Sequence, residues 1–67
     1  MNLIYVNSSD LEAIAIHGNN LVIKFKSGGM YEYYNAACEF NNILSASSKG
    51  RYFHKYIKPY YKTSKIY

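Results

Sequence analysis

Sixty-seven residues with a formal net charge of +4 make one domain at most, spanning 1–67. A chain this short buries only about 60% of its unfolded surface. Its single cysteine, Cys38, excludes an internal disulfide, so apolar packing must hold the fold. No stretch approaches the length of a membrane span, and the N-terminal Met1–Val6 run has no basic flank. A cytoplasmic chain without membrane attachment is the expectation. His17, Cys38 and His54 lie too far apart for metal-ligand spacing, so no metal or cofactor is expected.

Residues 1–8 read as an extended arm or an extra edge strand, because Leu3, Ile4 and Val6 are apolar. Ser8-Ser9-Asp10 reads as a turn into a first strand from Leu11 to His17. Ile14 and Ile16 share a face there, and Leu11 is out of step with them. A bulge near Glu12 or an edge role would account for Leu11. Gly18-Asn19 suits a two-residue turn with glycine at its first central position. That turn pairs Ile16 with Leu21 and Ile14 with Ile23.

The next hairpin runs from Leu21 to Tyr34 around Ser27-Gly28-Gly29. A two-residue loop at Ser27-Gly28 or at Gly28-Gly29 would set Glu32 opposite Ile23 or Phe25, which is costly. A three-residue loop at Ser27-Gly28-Gly29 pairs Phe25 with Tyr31, Ile23 with Tyr33 and Lys24 with Glu32. It predicts a bulge at Gly29 and an apolar face of Leu21, Ile23, Phe25, Tyr31 and Tyr33. The opposite face, with Val22, Lys24, Lys26, Met30, Glu32 and Tyr34, reads as solvated.

Asn35 is a plausible N-cap for a helix from Ala36 to about Ala46, with Phe40, Ile43 and Leu44 facing the sheet. Cys38 reads as a small packing residue, since no base or cation stands near it in sequence. Ser48 can cap a second helix from Lys49 to about Ile57, stopped by Pro59. Gly50 in its first turn costs about 1 kcal/mol against alanine, which a close approach to another element or a ligand would justify. Around this helix, Phe53, Tyr56, Ile57 and Tyr60 form an apolar arc, and Arg51, His54, Lys55 and Lys58 a basic one. Residues 60–67 read as a tail or a last short strand. The expected fold is α+β: a three-stranded antiparallel meander with two C-terminal helices on one face, in the order βββαα.

The order of features resembles the KTSC domain, a small domain found at the C-terminus of some lysyl-tRNA synthetases and as stand-alone bacterial proteins. The resemblance is carried by Ser8-Ser9, Leu21-x-Ile23-x-Phe25, Gly28, Tyr31-Glu32-Tyr33, Phe40, Leu44, Ala46, Ser48-Lys49-Gly50-Arg51-Tyr52-Phe53, Ile57 and Tyr60. The family often has Val-Pro where this chain has Ala36-Ala37, and Tyr-Asp where it has Ile16-His17. The resemblance implies a role in RNA binding.

The charge distribution points the same way. All four acids lie at or before Glu39, and six of the eight basic residues lie after residue 48. Such segregation suits an anionic partner, and basic residues toward a helix C-terminus are its structural alternative. The expected nucleic-acid-binding residues are Ser48, Lys49, Gly50 and Arg51 as an anion site at the helix start. Tyr52, His54, Lys55, Lys58 and Lys62 continue it as a basic, tyrosine-bearing face. No carboxylate pair, paired nucleophile or phosphate loop marks an enzyme. The leading expectation is a non-catalytic RNA-binding module. The alternative is a protein-interaction module that self-associates, or a phage-type regulatory or inhibitory small protein.

Overall fold

A computed structural model describes all residues, Met1–Tyr67. One antiparallel sheet has five strands in sequential order: β1 (Ile4–Tyr5), β2 (Leu11–His17), β3 (Asn20–Phe25), β4 (Met30–Tyr33) and β5 (Thr63–Lys65). Between β4 and β5 lie a 3₁₀ turn (Ala37–Glu39), helix α1 (Phe40–Ser45) and helix α2 (Lys49–Tyr52), which continues as a π-helical stretch (Phe53–Ile57). The α+β class and both helices agree with the sequence reading. The three-stranded sheet is corrected to five strands, because both chain ends add an edge. β1 pairs Ile4 with Ile14, and β5 pairs Tyr31 with Lys65.

The β2–β3 turn is as expected, with Ile16 opposite Leu21, Ile14 opposite Ile23 and Gly18 at φ 62°. Leu11 is brought onto the core face by a bulge between it and Ala13. The β3–β4 register differs from expectation by two residues: Ile23 faces Tyr31, Lys24 faces Met30 and Val22 faces Glu32. The three-residue loop is Lys26-Ser27-Gly28, one position earlier, closed by the Phe25 amide on the Gly29 carbonyl at 3.1 Å. A two-residue shift preserves side-chain parity, so the apolar face survives. The Lys24–Glu32 pair does not form. Lys24 takes Glu12 at the bulge instead, at 3.0 Å, and Glu32 takes His17 and Asn20 at 2.8 and 2.9 Å.

The core lies between the sheet and the helices: Leu11, Ile14, Leu21, Ile23, Tyr33, Ala36, Ile43, Phe53 and Ile57. Phe53 is its aromatic centre, edge-on to Phe25 at 5.4 Å and to Tyr33 at 5.3 Å. The opposite sheet face is less solvated than expected. Ala13, Ala15 and Val22 have no exposed surface, and Glu32 is 9% exposed. Larger side chains flank these small ones across the strands: Tyr5 and Lys24 beside Ala13, and Glu32 beside Val22.

Two details of the helices also differ. Asn35 does not cap α1; it sits at φ 61°, and its amide donates to the Asn20 side chain at 2.9 Å. Asparagine tolerates this left-handed geometry better than most residues. In the second helix the π-helical stretch turns less per residue than an α-helix. Phe53 and Ile57 therefore stay in the core while Tyr56 swings out to 45% exposure. Tyr60 follows Pro59 outside the helix and is exposed.

Candidate nucleic-acid interface

The start of α2 is built much as its residues suggest. The Ser48 hydroxyl accepts from the Arg51 amide at 3.4 Å, satisfying one of the free donors of the first turn. Gly50 lets the helix approach the turn before β2: a Cβ there would lie 3.5 Å from Asp10 Cβ and 3.7 Å from Ser8 Oγ. Those are ordinary contacts, and φ is not positive. Gly50→Ala is therefore expected to be tolerated and to raise stability by up to about 1 kcal/mol, read from the urea midpoint. A loss of stability would show that the contact with Ser8 and Asp10 cannot accept a methyl group.

Of the expected anion site at Ser48, Lys49, Gly50 and Arg51, only the Arg51 side chain stands free of a contact within the fold. Lys49 turns back and donates to the Ala46 carbonyl at 3.1 Å. Ser48 is engaged as the cap, and Gly50 faces the Ser8–Asp10 turn. Around this helix the exposed basic residues are Arg51 and Lys55, Lys58 at its end, and Lys62 and Lys65 on the segment that follows; Lys26 is exposed on the β3–β4 loop. His54 lies beside them, but its Nε2 is 3.0 Å from Asp10 Oδ2.

Two grooves flank this helix. The first, of about 280 Å³, is bordered by Ser47, Ser48, Arg51, Tyr52, Lys55 and Tyr56. Its tyrosine rings lie 4.8 Å apart at a 42° tilt, and Lys55 Nζ stands 5.3 Å from the Tyr56 ring centre. The second, of about 390 Å³, opens between the helix and the β3–β4 hairpin. Its walls include half-buried Phe25 and Tyr31, with Lys58 and His54 at the rim. Sequence reasoning placed Phe25 and Tyr31 wholly in the core and so missed this groove.

Glu39 is the fixed point behind the first groove. Its carboxylate accepts from the Tyr52 hydroxyl at 2.6 Å, the Tyr61 hydroxyl at 3.0 Å and the Asn42 amide at 3.3 Å. The Tyr52 hydrogen bond, with weaker help from Asn42 and Tyr61, holds the Glu39 carboxyl below the usual range. The same bond raises the Tyr52 phenol. Tyr61 is pushed up further, by its contact with the Cys38 thiol and then by Glu39. Cys38 is exposed rather than a packing residue, with Sγ 3.7 Å from the Tyr61 hydroxyl. Sequence reasoning missed the role of Glu39. Its two tyrosine partners, at 13 and 22 residues' separation, give no local signal.

No cluster of three or more His, Cys, Asp or Glu side chains comes together to hold a metal ion. No helix is long and apolar enough to cross a membrane.

Comparison with known proteins finds relatives over most of the chain. The profile of the KTSC domain matches residues 7–61. A lysine–tRNA ligase from Nostoc is 40% identical over 47 residues, which cover 69% of this chain and 8% of the ligase. The crystal structure of a KTSC domain protein from Yersinia pestis superposes with a TM-score of 0.91 at 33% identity. That match covers 98% of this chain and 97% of the other.

Proposed function

The chain belongs to the KTSC domain family, and from that premise we propose that it is a cytoplasmic, non-catalytic RNA-binding module. Its contact surface is the exposed side of α2 with the first groove. The observation that carries this reading is the joining of Arg51 and Lys55 with the Tyr52–Tyr56 pair in one groove. Cations there would meet phosphates, and a tyrosine ring would offer a stacking surface to an unpaired base. Lys58 and Lys62 extend the surface, and no acid follows Glu39 in the chain. A segment related to this chain occurs in a lysine–tRNA ligase, whose name records a tRNA substrate. That supports RNA over DNA as the partner.

The test is fluorescence anisotropy with single-stranded RNA, tRNA and duplex DNA over a range of salt. Three to four phosphate contacts on a single strand predict a log–log salt slope of about −2 to −3. Arg51→Ala/Lys55→Ala should make the slope shallower by about 1 to 1.5. Absence of binding at micromolar protein, or a slope unchanged in the double variant, would sink the proposal. A second reading, contact with a protein or a second copy, is supported by exposed Ile4, Tyr5, Ile66 and Tyr67 at the two sheet edges. Such an interface would be largely insensitive to salt.

A further inference from the structure

The second groove lies on the other side of α2 and shares only Lys58 with the surface proposed above. Its floor is aromatic. Phe25 and Tyr31 meet edge-on at 5.6 Å, Phe25 and Phe53 at 5.4 Å, and both Phe25 and Tyr31 are half-buried. One wall is the hairpin loop at Gly28, where a Cβ would meet nothing within 4 Å, so a ligand could approach the backbone closely. The other wall carries exposed Lys58. Asp10 is the one acid on the rim, and it faces His54 at 3.0 Å. The volume of about 390 Å³ falls within the roughly 300–1,000 Å³ of small-ligand sites.

An aromatic floor beside a single free cation suits a planar ring that carries an anionic group. A nucleotide has that chemistry. From this placement we infer that the second groove is a nucleotide subsite, taking one base of a single strand against Phe25 and Tyr31 with its phosphate toward Lys58. A duplex would not fit this use, because its bases are already stacked and paired. The two grooves are bordered by interleaved residues of one helix, Tyr52, Lys55 and Tyr56 on one side and Phe53, His54 and Lys58 on the other. A strand crossing the helix, about 10–12 Å wide with its side chains, passes from one groove to the other over Lys55 and Lys58. The inference rests on the RNA-binding reading and extends it to a second contact.

The experiment is an amide-resolved NMR titration of the whole protein with a single-stranded hexanucleotide RNA, with adenosine monophosphate alone in a parallel arm. Shifts are expected at Gly28, Tyr31 and Lys58 as well as around Ser48 and Tyr56. Phe25→Leu, which keeps apolar volume but removes the ring, should weaken hexanucleotide binding about tenfold, within the 1–3 kcal/mol measured for base stacking on aromatics. Lys58→Gln is exposed and leaves the core untouched, so it covers the case in which Phe25→Leu unfolds; it should weaken binding severalfold. Shifts confined to the Ser48–Tyr56 side, with Lys58→Gln unchanged, would overturn this inference and leave the first groove standing. Binding of the monophosphate at Gly28 and Lys58 with none of the strand would overturn the assignment to a strand. No shift with either ligand would overturn both readings.

Discussion

Phe53→Ala is expected to cost about 3–5 kcal/mol, the usual range for truncating a buried phenylalanine. Phe53 is 1% exposed and joins three elements: its ring meets Phe25 of β3 and Tyr33 of β4, and its backbone begins the π-helical stretch. At about 0.05–0.15 kcal/mol per residue, a domain of this size holds only some 3–10 kcal/mol in total. The variant should therefore lose about a third or more of the domain's stability and unfold at a much lower urea concentration. Urea unfolding followed by circular dichroism measures this. The comparison that gives the result its meaning is Tyr56→Ala. The helical wheel puts Tyr56 on the same arc as Phe53, but Tyr56 is 45% exposed. Its truncation should cost less than about 1 kcal/mol, in keeping with a surface substitution away from buried partners. Similar costs for the two variants would mean that the helix is regular and that Tyr56 belongs to the core.

That contrast shows what a sequence of this kind can and cannot carry. Periodicity decides which face a strand presents, and the faces of β2, β3 and β4 were legible from it. Register is a finer question. The expected Lys24–Glu32 pair was a sound local argument, yet each residue finds a better partner outside its own hairpin. Glu12 reaches Lys24 only because of the bulge in β2, and His17 and Asn20 reach Glu32 from the preceding turn. The edges β1 and β5 could be read only as alternatives. Two and three residues cannot announce themselves as strands, and main-chain bonds to β2 and β4 decide the matter. In the candidate interface, the Ser48 cap, the close approach at Gly50 and the exposed basic residues were legible because each has a local signature. The turning of Lys49 onto Ala46, the second groove and the role of Glu39 were not. They depend on how helix and hairpin meet, and the π-helical stretch that sets that meeting follows from seating both Phe53 and Ile57 in the core.

The second large effect is expected at Glu39. Its carboxylate ties the 3₁₀ turn to α2 through Tyr52 and to the segment before β5 through Tyr61. Glu39→Gln keeps the size, removes the charge and replaces acceptor capacity with a donor. Hydrogen bonds to a charged group contribute about 1.5–3 kcal/mol each, and the half-exposed position reduces this. A loss of about 2 kcal/mol at neutral pH is expected for the two tyrosine bonds together. The pH dependence separates charge from shape. The folded-state pKa of Glu39 is lowered, first by Tyr52, so the folded protein holds the ionised form more strongly than the unfolded chain does. Its contribution is therefore fully present above the unfolded value of about 4.3 and is lost as pH falls through that value toward the folded one. Glu32 adds a loss of the same sign, because Asn20 and then His17 lower its pKa. Wild type should weaken steadily below about pH 4.5. The stability gap between wild type and Glu39→Gln should narrow over the same interval, because the wild-type side chain becomes neutral too. Tyr52→Phe should lose about 1 kcal/mol at pH 7 and show a shallower acid limb, since it removes the largest cause of the lowered pKa. Urea midpoints from pH 7 to pH 3 test all three together. A gap that stays constant across the range would show that Glu39 acts by packing alone, with its two tyrosine bonds contributing nothing that depends on charge.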